Sequence, residues 1–411
     1  MYTTIFRNNE INTLLFNNNT NILYKYKIYN DVSELKDEKY GNFIDLDITK
    51  SKIDELGEDL EQLRIAASKY YYEYELIKTI CRKHVISRAY FKLYEILYDD
   101  PILLLPKIDC FFICEAPGGF IECLNDIRRQ SNLHTNYITV SKIEGDVQYS
   151  KYLEISNIIY GDITTSESLN NIIKCVKEKY PNGMDIITAD GGFNIKNFNS
   201  QEVASSKLIL CEIYLALMNQ KINGLFVIKF FDMFTHNSII SYLILCSFYK
   251  YVKIIKPITS RSSNSERYLV CYNFLGVNND SLELINKLKI IINNFIYIES
   301  NEYNKQNITT IIFPEFNFYN INNNNLLFYK KISNFNNIIL KQQIENINNS
   351  INLVNNKKYY FNNIIIKIFN NKNHIPYIEK YSLILQYRIK LCSEWLLKHK
   401  IPIIYLNGYY Y

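Results

Sequence analysis

The stretch Ile113-Cys114-Glu115-Ala116-Pro117-Gly118-Gly119-Phe120 decides the fold. It closes an apolar run, Ile108–Cys114, and opens a segment with helical spacing, Phe120–Arg129. Two glycines at a strand-to-helix junction let the backbone approach a ligand closely. The helix N-terminus then offers N–H groups and a positive dipole end, suited to a carboxylate. The spacing is not GxGxxG, which disfavours a dinucleotide site. An ordinary strand–helix turn would read the same in isolation, so the neighbouring segments carry the decision.

Working outward, further apolar runs lie at Tyr137–Ser141, Asn157–Tyr160, Met184–Ala189, Leu225–Phe231, Val252–Lys256 and Tyr268–Phe274. Helical segments such as Ser200–Lys221 and Asn237–Tyr249 separate most of them. Strand, helix, strand in repetition predicts an α/β fold: a Rossmann-like, mostly parallel sheet covered by helices on both faces. A short polar loop joins the last two runs, so that edge is expected to be antiparallel. Three zones are predicted. Residues 1–82 form an N-terminal helical extension, most regular over Ser51–His84; residues 83–276 form the α/β domain. Residues 277–411 form an Asn-rich, mostly helical region with long loops, its amphipathic helices at Tyr329–Leu353 and Tyr377–His399.

The bulk properties set looser bounds. The formal net charge is +5 over 411 residues, mildly basic and compatible with a polyanionic partner without requiring one. The 36 tyrosines beside 12 glycines follow a general skew towards Asn, Ile, Tyr and Lys, so they are not read as base-stacking platforms as a group. Nine cysteines are scattered with no paired CxxC knuckles, which predicts reduced thiols and no metal site. No segment reaches the roughly 18 uninterrupted apolar residues of a membrane span. The N-terminal MYTTIFRNNEINTLLF lacks the pattern of a secretion signal. The expectation is a cytoplasmic protein with no membrane association.

Four further segments hold chemically loaded side chains. Met184–Ala189 ends in Asp190-Gly191-Gly192, placing a carboxylate at the strand end where open α/β sheets bind ligands. Alone, Asp190 reads equally as a turn-capping residue. Lys229 interrupts the apolar run Leu225–Phe231. A buried ammonium is costly without partners, so Asp190 and Glu266 are its expected neighbours, with a snorkelling edge lysine as the plain alternative. Lys256–Tyr268 is a polar loop ending at Glu266; Ser260, Arg261, Ser263 and Asn264 are candidate RNA contacts in it, or members of a solvated hairpin. In Ser87–Glu95, Lys92 projects from a helix and by itself reads as a solvated lysine.

In order along the chain, SRAYFKL (Ser87–Leu93), CEAPGGF (Cys114–Phe120), YGDIT (Tyr160–Thr164), TADGG (Thr188–Gly192), VIKFF (Val227–Phe231) and KPITSRSSNSERYLV (Lys256–Val270) resemble the FtsJ-like ribose 2'-O-methyltransferases. The likeness is greatest to cap-specific mRNA 2'-O-methyltransferases, especially those of large cytoplasmic DNA viruses such as the African swine fever virus group, and covers about residues 83–276. LKQQIENIN from Leu340 echoes the viral group. The resemblance implies a catalytic set of Lys92, Asp190, Lys229 and Glu266. It implies S-adenosyl-L-methionine as cofactor, contacted by Ser87, Cys114, Glu115, Ala116, Pro117, Gly118, Gly119, Phe120, Gly161 and Asp162. Relatives carry an acid at the end of the second strand for the cofactor ribose; here that position reads Val140-Ser141-Lys142, with Glu144 and Asp146 later, and no residue is assigned.

The implied substrate is capped mRNA, with other capping proteins as further partners and the host cytoplasm or the virion as location. Two alternatives stay open: a ribosomal or transfer RNA 2'-O-methyltransferase, and a non-catalytic RNA-binding subunit of a capping complex. The charge of Lys229 is open too. Neutral, it is a general base; protonated, it orients the oxygen and stabilises developing negative charge.

Overall fold

The computed structural model describes residues 2–7, 25–28, 36–54, 72–142, 148–153, 155, 157–192, 198–293, 309–312, 323–368 and 375–403. In chain order the strands are β1 (Tyr2–Arg7), β2 (Lys25–Ile28), β3 (Lys107–Ile113), β4 (His134–Ser141), β5 (Ile158–Tyr160), β6 (Met184–Ala189), β7 (Gln220–Phe230), β8 (Tyr249–Lys256), β9 (Arg267–Phe274) and β10 (Thr309–Ile312). The main helices are α1 (Ile44–Asp54), α2 (Ala89–Leu97), α3 (Gly119–Arg129), α4 (Ser166–Lys179), α5 (Gln201–Asn219), α6 (His236–Phe248), α7 (Asn279–Asn293), α8 (Asn323–Ile368) and α9 (Ile375–Lys398).

One sheet runs β1-β8-β9-β7-β6-β3-β4-β5. The five strands from β5 to β7 are parallel; β9 is antiparallel to β7 and β8, and β1 is antiparallel to β8. The parallel part reads as continuous apolar runs because both of its faces are covered. In β3 the alternation is visible: Phe111 and Ile113 enter one core, while Ile108, Cys110 and Phe112 enter the other. The first core takes in α1, α4, α5, α6, α7 and α8, and the second takes in α2, α3 and the end of α9.

The end zones depart from the expected pattern. The N-terminal zone is not only helical. Its strand β1 pairs along β8, from Tyr2 opposite Lys256 to Arg7 opposite Tyr251, closing an edge whose backbone groups would otherwise lie bare. Within Ser51–His84 the helix covers only the start, as part of α1, and one turn at Ile77–Ile80; residues 55–71 lie outside the described residues. Helix is impossible just after that turn because Cys81 bridges Ile403 and the Arg82 N–H donates to Pro402 O at 2.9 Å. The C-terminal zone packs into the same interior as the α/β domain. Ile285, Leu288 and Ile292 of α7 and Tyr329, Ile332, Phe335 and Ile339 of α8 belong to the first core. Much of Asn362–Asn373 extends α8 rather than forming a loop, while residues 369–374 lie outside the described residues.

Candidate functional site

The topology gathers Asp190, Lys229 and Glu266 at the carboxyl edge of the sheet. Ala189 at the end of β6 pairs with Ile228 of β7, so the next residues of each strand are neighbours. Lys229 in turn faces Tyr268 of β9, so Glu266, two residues earlier, lies just past the end of β7. Lys229 Nζ sits 3.2 Å from Asp190 Oδ1 and donates to Asp190 O at 2.8 Å. Lys92, between the buried Phe91 and Leu93 of α2, reaches across to Glu266: Nζ is 2.7 Å from Oε1 and 2.8 Å from Oε2. All four side chains implied by the resemblance therefore meet.

Electrostatics decides the charge of Lys229. Burial pushes its ammonium down, but the carboxylates of Asp190 and Glu266 outweigh burial, and the net displacement is upward. This chain holds Lys229 protonated. Burial likewise pushes the Glu266 carboxyl up, yet the cations of Lys92, Lys229 and Lys256 overturn that and bring it to about 2. The site is a pair of ion pairs, with the Glu266 carboxylate ionised at neutral pH.

The loop before β9 is a correction to the expected RNA contacts. Ser260 is buried, and its hydroxyl donates to Glu266 Oε1 at 2.8 Å. Asn264 is turned onto Lys256, whose Nζ donates to Asn264 Oδ1 at 2.6 Å and to Asn264 O at 2.9 Å. Ser260 is not presented outward, while Asn264 is half-buried. Arg261 is part-exposed and sits 3.7 Å from Glu75; Ser263 is half-buried. The loop is held from outside as well. Glu95 of α2 accepts from Ile258 N, Thr259 N and Thr259 Oγ1 at 3.0, 3.1 and 2.9 Å, and Tyr72 OH donates to Thr259 O. Of the hydroxyls that look like a solvated hairpin in sequence, that of Ser260 is spent on Glu266 and that of Thr259 on Glu95.

At the β3–α3 junction, Gly118 has φ +107°, and a Cβ there would stand 2.1 Å from Leu153 Cδ1. A Cβ on Gly119 would stand 2.2 Å from Ser87 Oγ, a buried hydroxyl with no hydrogen-bond partner among the described residues. Glu115 Oε1 accepts from Phe120 N at 2.6 Å, while its buried Oε2 has no partner among them. Burial, with the Asp190 carboxylate beside it, pushes the Glu115 carboxyl well up. Phe120 corrects the expected ligand contacts: its ring is fully buried against Tyr268 and its N–H is spent on Glu115. Ala116 lines a cavity of about 470 Å³ with Ser141, Lys142, Tyr149, Leu153 and Tyr160, at the ends of β3, β4 and β5. That lies within the range of about 300–1,000 Å³ common for small-molecule sites. Asp162 stands beside it, its Oδ1 taken by Thr164 N and Oγ1 and its Oδ2 3.1 Å from Lys142. Burial pushes Asp162 up, but Thr164 and Lys142 outweigh burial and hold it below its ordinary value. Glu144 and Asp146 lie outside the described residues. A glycine-made approach, an orphaned hydroxyl and a cavity at the strand ends fit an amino-acid-bearing nucleoside such as S-adenosylmethionine.

A larger cavity of about 660 Å³ lies along α3 near Lys83, His84, Arg129 and His134, away from the four charged residues. Its acids are already paired: Glu122 with Lys83 at 3.2 Å and with Ile86 N at 2.8 Å, and Asp126 with Lys83. Among the described residues no cluster of three His, Cys, Asp or Glu side chains is arranged to hold a metal, and no helix is long and apolar enough to cross a membrane.

Three site residues escaped the sequence reading. Tyr268 OH donates to Asp190 Oδ1 at 3.0 Å. Glu212 of α5 accepts from Gly191 N at 3.1 Å, and burial pushes its carboxyl up to about 8. A Cβ on Gly191 would stand 2.2 Å from Glu212 Oε1, so the glycine admits this acid beneath the Asp190 turn. Lys256 is buried at the loop's neck. Unlike Lys229, which interrupts an apolar run, it stands at the end of one.

Residues 85–274 match the family model for the FtsJ-like methyltransferases. The chain is 29% identical over 275 residues to a cap-specific mRNA (nucleoside-2'-O-)-methyltransferase 1 of Mus musculus, covering 59% of this chain and 32% of that protein. It is 34% identical over 172 residues to the Drosophila melanogaster protein of the same name, covering 39% and 21%. The chain thus spans a third or less of the length of these relatives. Among solved structures, a ribosomal RNA methyltransferase from Plasmodium falciparum aligns at 26% identity and a TM-score of 0.37, covering 46% of this chain and 99% of that one.

Proposed function

Residues 85–274 being an FtsJ-like methyltransferase domain, we propose that the protein methylates the ribose 2'-oxygen of RNA, using S-adenosylmethionine and acting on the first transcribed nucleotide of capped mRNA. The observation that carries the reaction is Lys229, buried and protonated beside Asp190, with Glu266 tied to Lys92 next to it. The names of the similar proteins support the capped substrate.

The cofactor supplies a methyl group on a sulfonium, open to in-line attack. The residues must orient a weakly nucleophilic hydroxyl against it. Protonated Lys229 would be a hydrogen-bond donor to the 2'-oxygen, stabilising negative charge as it develops rather than acting as a general base, with the hydroxyl proton released to solvent as the methyl passes from sulfur to oxygen and a neutral thioether leaves. Asp190 holds Lys229 through a side-chain and a backbone oxygen, and its own carboxylate is steered by Tyr268. Lys92 and Glu266 form the opposite wall, where the nucleotide would seat. Alignment of this kind is worth effective molarities of about 10⁵ M or more. Ser87 Oγ and the Gly118–Gly119 backbone are the groups that would hold the amino-acid end of the cofactor, and the Ala116–Tyr160 cavity its nucleoside.

We further place residues 83–276 as the catalytic unit, braced by residues 1–82 and 277–411, acting in the cytoplasm with other capping proteins as partners. The test is nucleoside analysis of a capped transcript after incubation with methyl-labelled cofactor. Label on the 2'-oxygen of the first transcribed nucleotide is expected. Equal labelling of uncapped RNA would sink the cap assignment, and no labelling of any RNA would sink the reaction.

A further inference from the structure

We propose that Lys256 is a positioning residue for the reaction, its buried ammonium fixing the loop that presents the Glu266 carboxylate to Lys92. Lys256 ends β8 and is only 4% exposed. Its Nζ donates to Asn264 Oδ1 at 2.6 Å, Glu266 O at 2.7 Å and Asn264 O at 2.9 Å, with Ser260 Oγ a further contact at 3.3 Å. Three of these four acceptors are neutral carbonyl oxygens. An ammonium taken out of water to bind carbonyls has no Coulombic reward equal to its desolvation, so its presence needs another reason.

The loop supplies that reason. Residues 257–266 leave β8 at Lys256 and return to β9 at Arg267, and the ammonium ties the returning end, Asn264 and Glu266, to the departing strand. Lys256 also engages a lone pair of Ser260, whose hydroxyl is then directed onto Glu266 Oε1 at 2.8 Å. Lys256 thus donates to Ser260 and Ser260 to Glu266, whose carboxylate also accepts from Lys92, one arm of the catalytic set. Burial, with the cations of Arg267 and Lys92 opposing the carboxylates of Glu266 and Asp232, brings Lys256 down to about 7.

This inference rests on the methyl-transfer reading, and its test keeps the two apart. Lys256→Met and Ser260→Ala are made singly and together, with three readouts: kcat and KM for capped RNA, calorimetric cofactor affinity, and crystal structures. Lys256→Met is expected to lower kcat about tenfold or more, as loss of a charge-assisted bond does. Cofactor affinity and RNA KM should stay within about threefold. Ser260→Ala should show the same pattern more mildly, and the double variant should be no worse than Lys256→Met, because both act through one carboxylate. In the variant crystals Glu266 should leave the 2.7 Å contact with Lys92. An unmoved Glu266, or a kcat loss matched by the loss of cofactor-titrated folded protein, overturns the proposal. If Lys256→Met does not fold, an unchanged kcat in Ser260→Ala overturns it, and a rise in RNA KM alone would return Ser260 to RNA contact. Wild-type protein without methyl transfer refutes the reaction, while the crystallographic comparison still decides the positioning.

Discussion

At the scale of single residues, the ionisation of Lys229 determines what the site can do. Its neighbours stabilise the ammonium, so its removal deletes a donor aimed at the reacting oxygen and leaves Asp190 with only Tyr268 as side-chain partner among the described residues. Lys229→Ala should lower transfer by about 10² to 10³-fold, the scale seen when one donor to a developing oxyanion is lost. Cofactor affinity measured by calorimetry should stay within a few-fold, and turnover near the wild-type rate would refute the role. Lys229 and Asp190 were legible because each breaks a local pattern: a lysine among buried apolar residues, a carboxylate where a strand meets two glycines. Lys92 was not, because on an amphipathic helix a lysine is ordinary; its 2.7 Å contact with Glu266 depends on a partner 174 residues away. Lys256 broke the same pattern as Lys229, but its place at a run's end reads as a strand terminus.

At the scale of elements, the segment between β8 and β9 is a rigid part of the site. Glu95 satisfies two loop N–H groups and a hydroxyl in a place where water has little access. Burial raises the Glu95 carboxyl above its ordinary value, and those three donors offset only part of the rise. Glu95→Ala leaves the donors orphaned, which costs about 2–3 kcal/mol for such a cluster. Denaturant unfolding should show the loss, accompanied by a lower kcat as the loop carrying Glu266 loosens. An unchanged midpoint would show that the loop needs no anchor from α2. The alternation of strands and helices was readable here because each run is buried on both faces. The inward turn of Ser260 and Asn264 was not, since a string of hydroxyl and amide residues has the same composition whether it faces solvent or a carboxylate.

At the scale of the molecule, the end zones meet around one buried polar knot. Arg267, next to Glu266, donates to Asn336 Oδ1 of α8 at 2.5 Å and lies 3.5 Å from Asp232, which pairs with Lys50 of α1 at 2.6 Å. Asn336 also donates to Tyr40 O and Met233 O. An asparagine in an Asn-rich stretch carries no sign in sequence that it is a core residue, so nothing in the C-terminal zone's sequence ties it to the sheet. Asn336→Leu should destabilise the fold by about 2–4 kcal/mol, because it strands a buried guanidinium and two carbonyls; wild-type stability would mean that the knot is slack.

The same interior makes stability depend on pH in two opposed ways. Glu212, raised to about 8, keeps in the fold a proton that the unfolded chain releases near its ordinary 4.5. Its contribution is full below pH 4.5 and is lost as pH rises through about 8. Lys256, lowered to about 7 from 10.5, runs the other way: its contribution is full above 10.5 and is lost as pH falls through about 7. The two slopes oppose each other between about 7 and 8, which leaves a descending limb from 4.5 to 7 attributable to the acid. Glu212→Gln keeps an acceptor for Gly191 N and removes the titration. Relative to wild type, it should therefore gain stability steadily between pH 5 and 8, by a few kcal/mol in all, with no change in slope above. Parallel difference curves across that window would mean that Glu212 is ionised in the fold, and the neutral acid beneath the Asp190 turn would have to be given up.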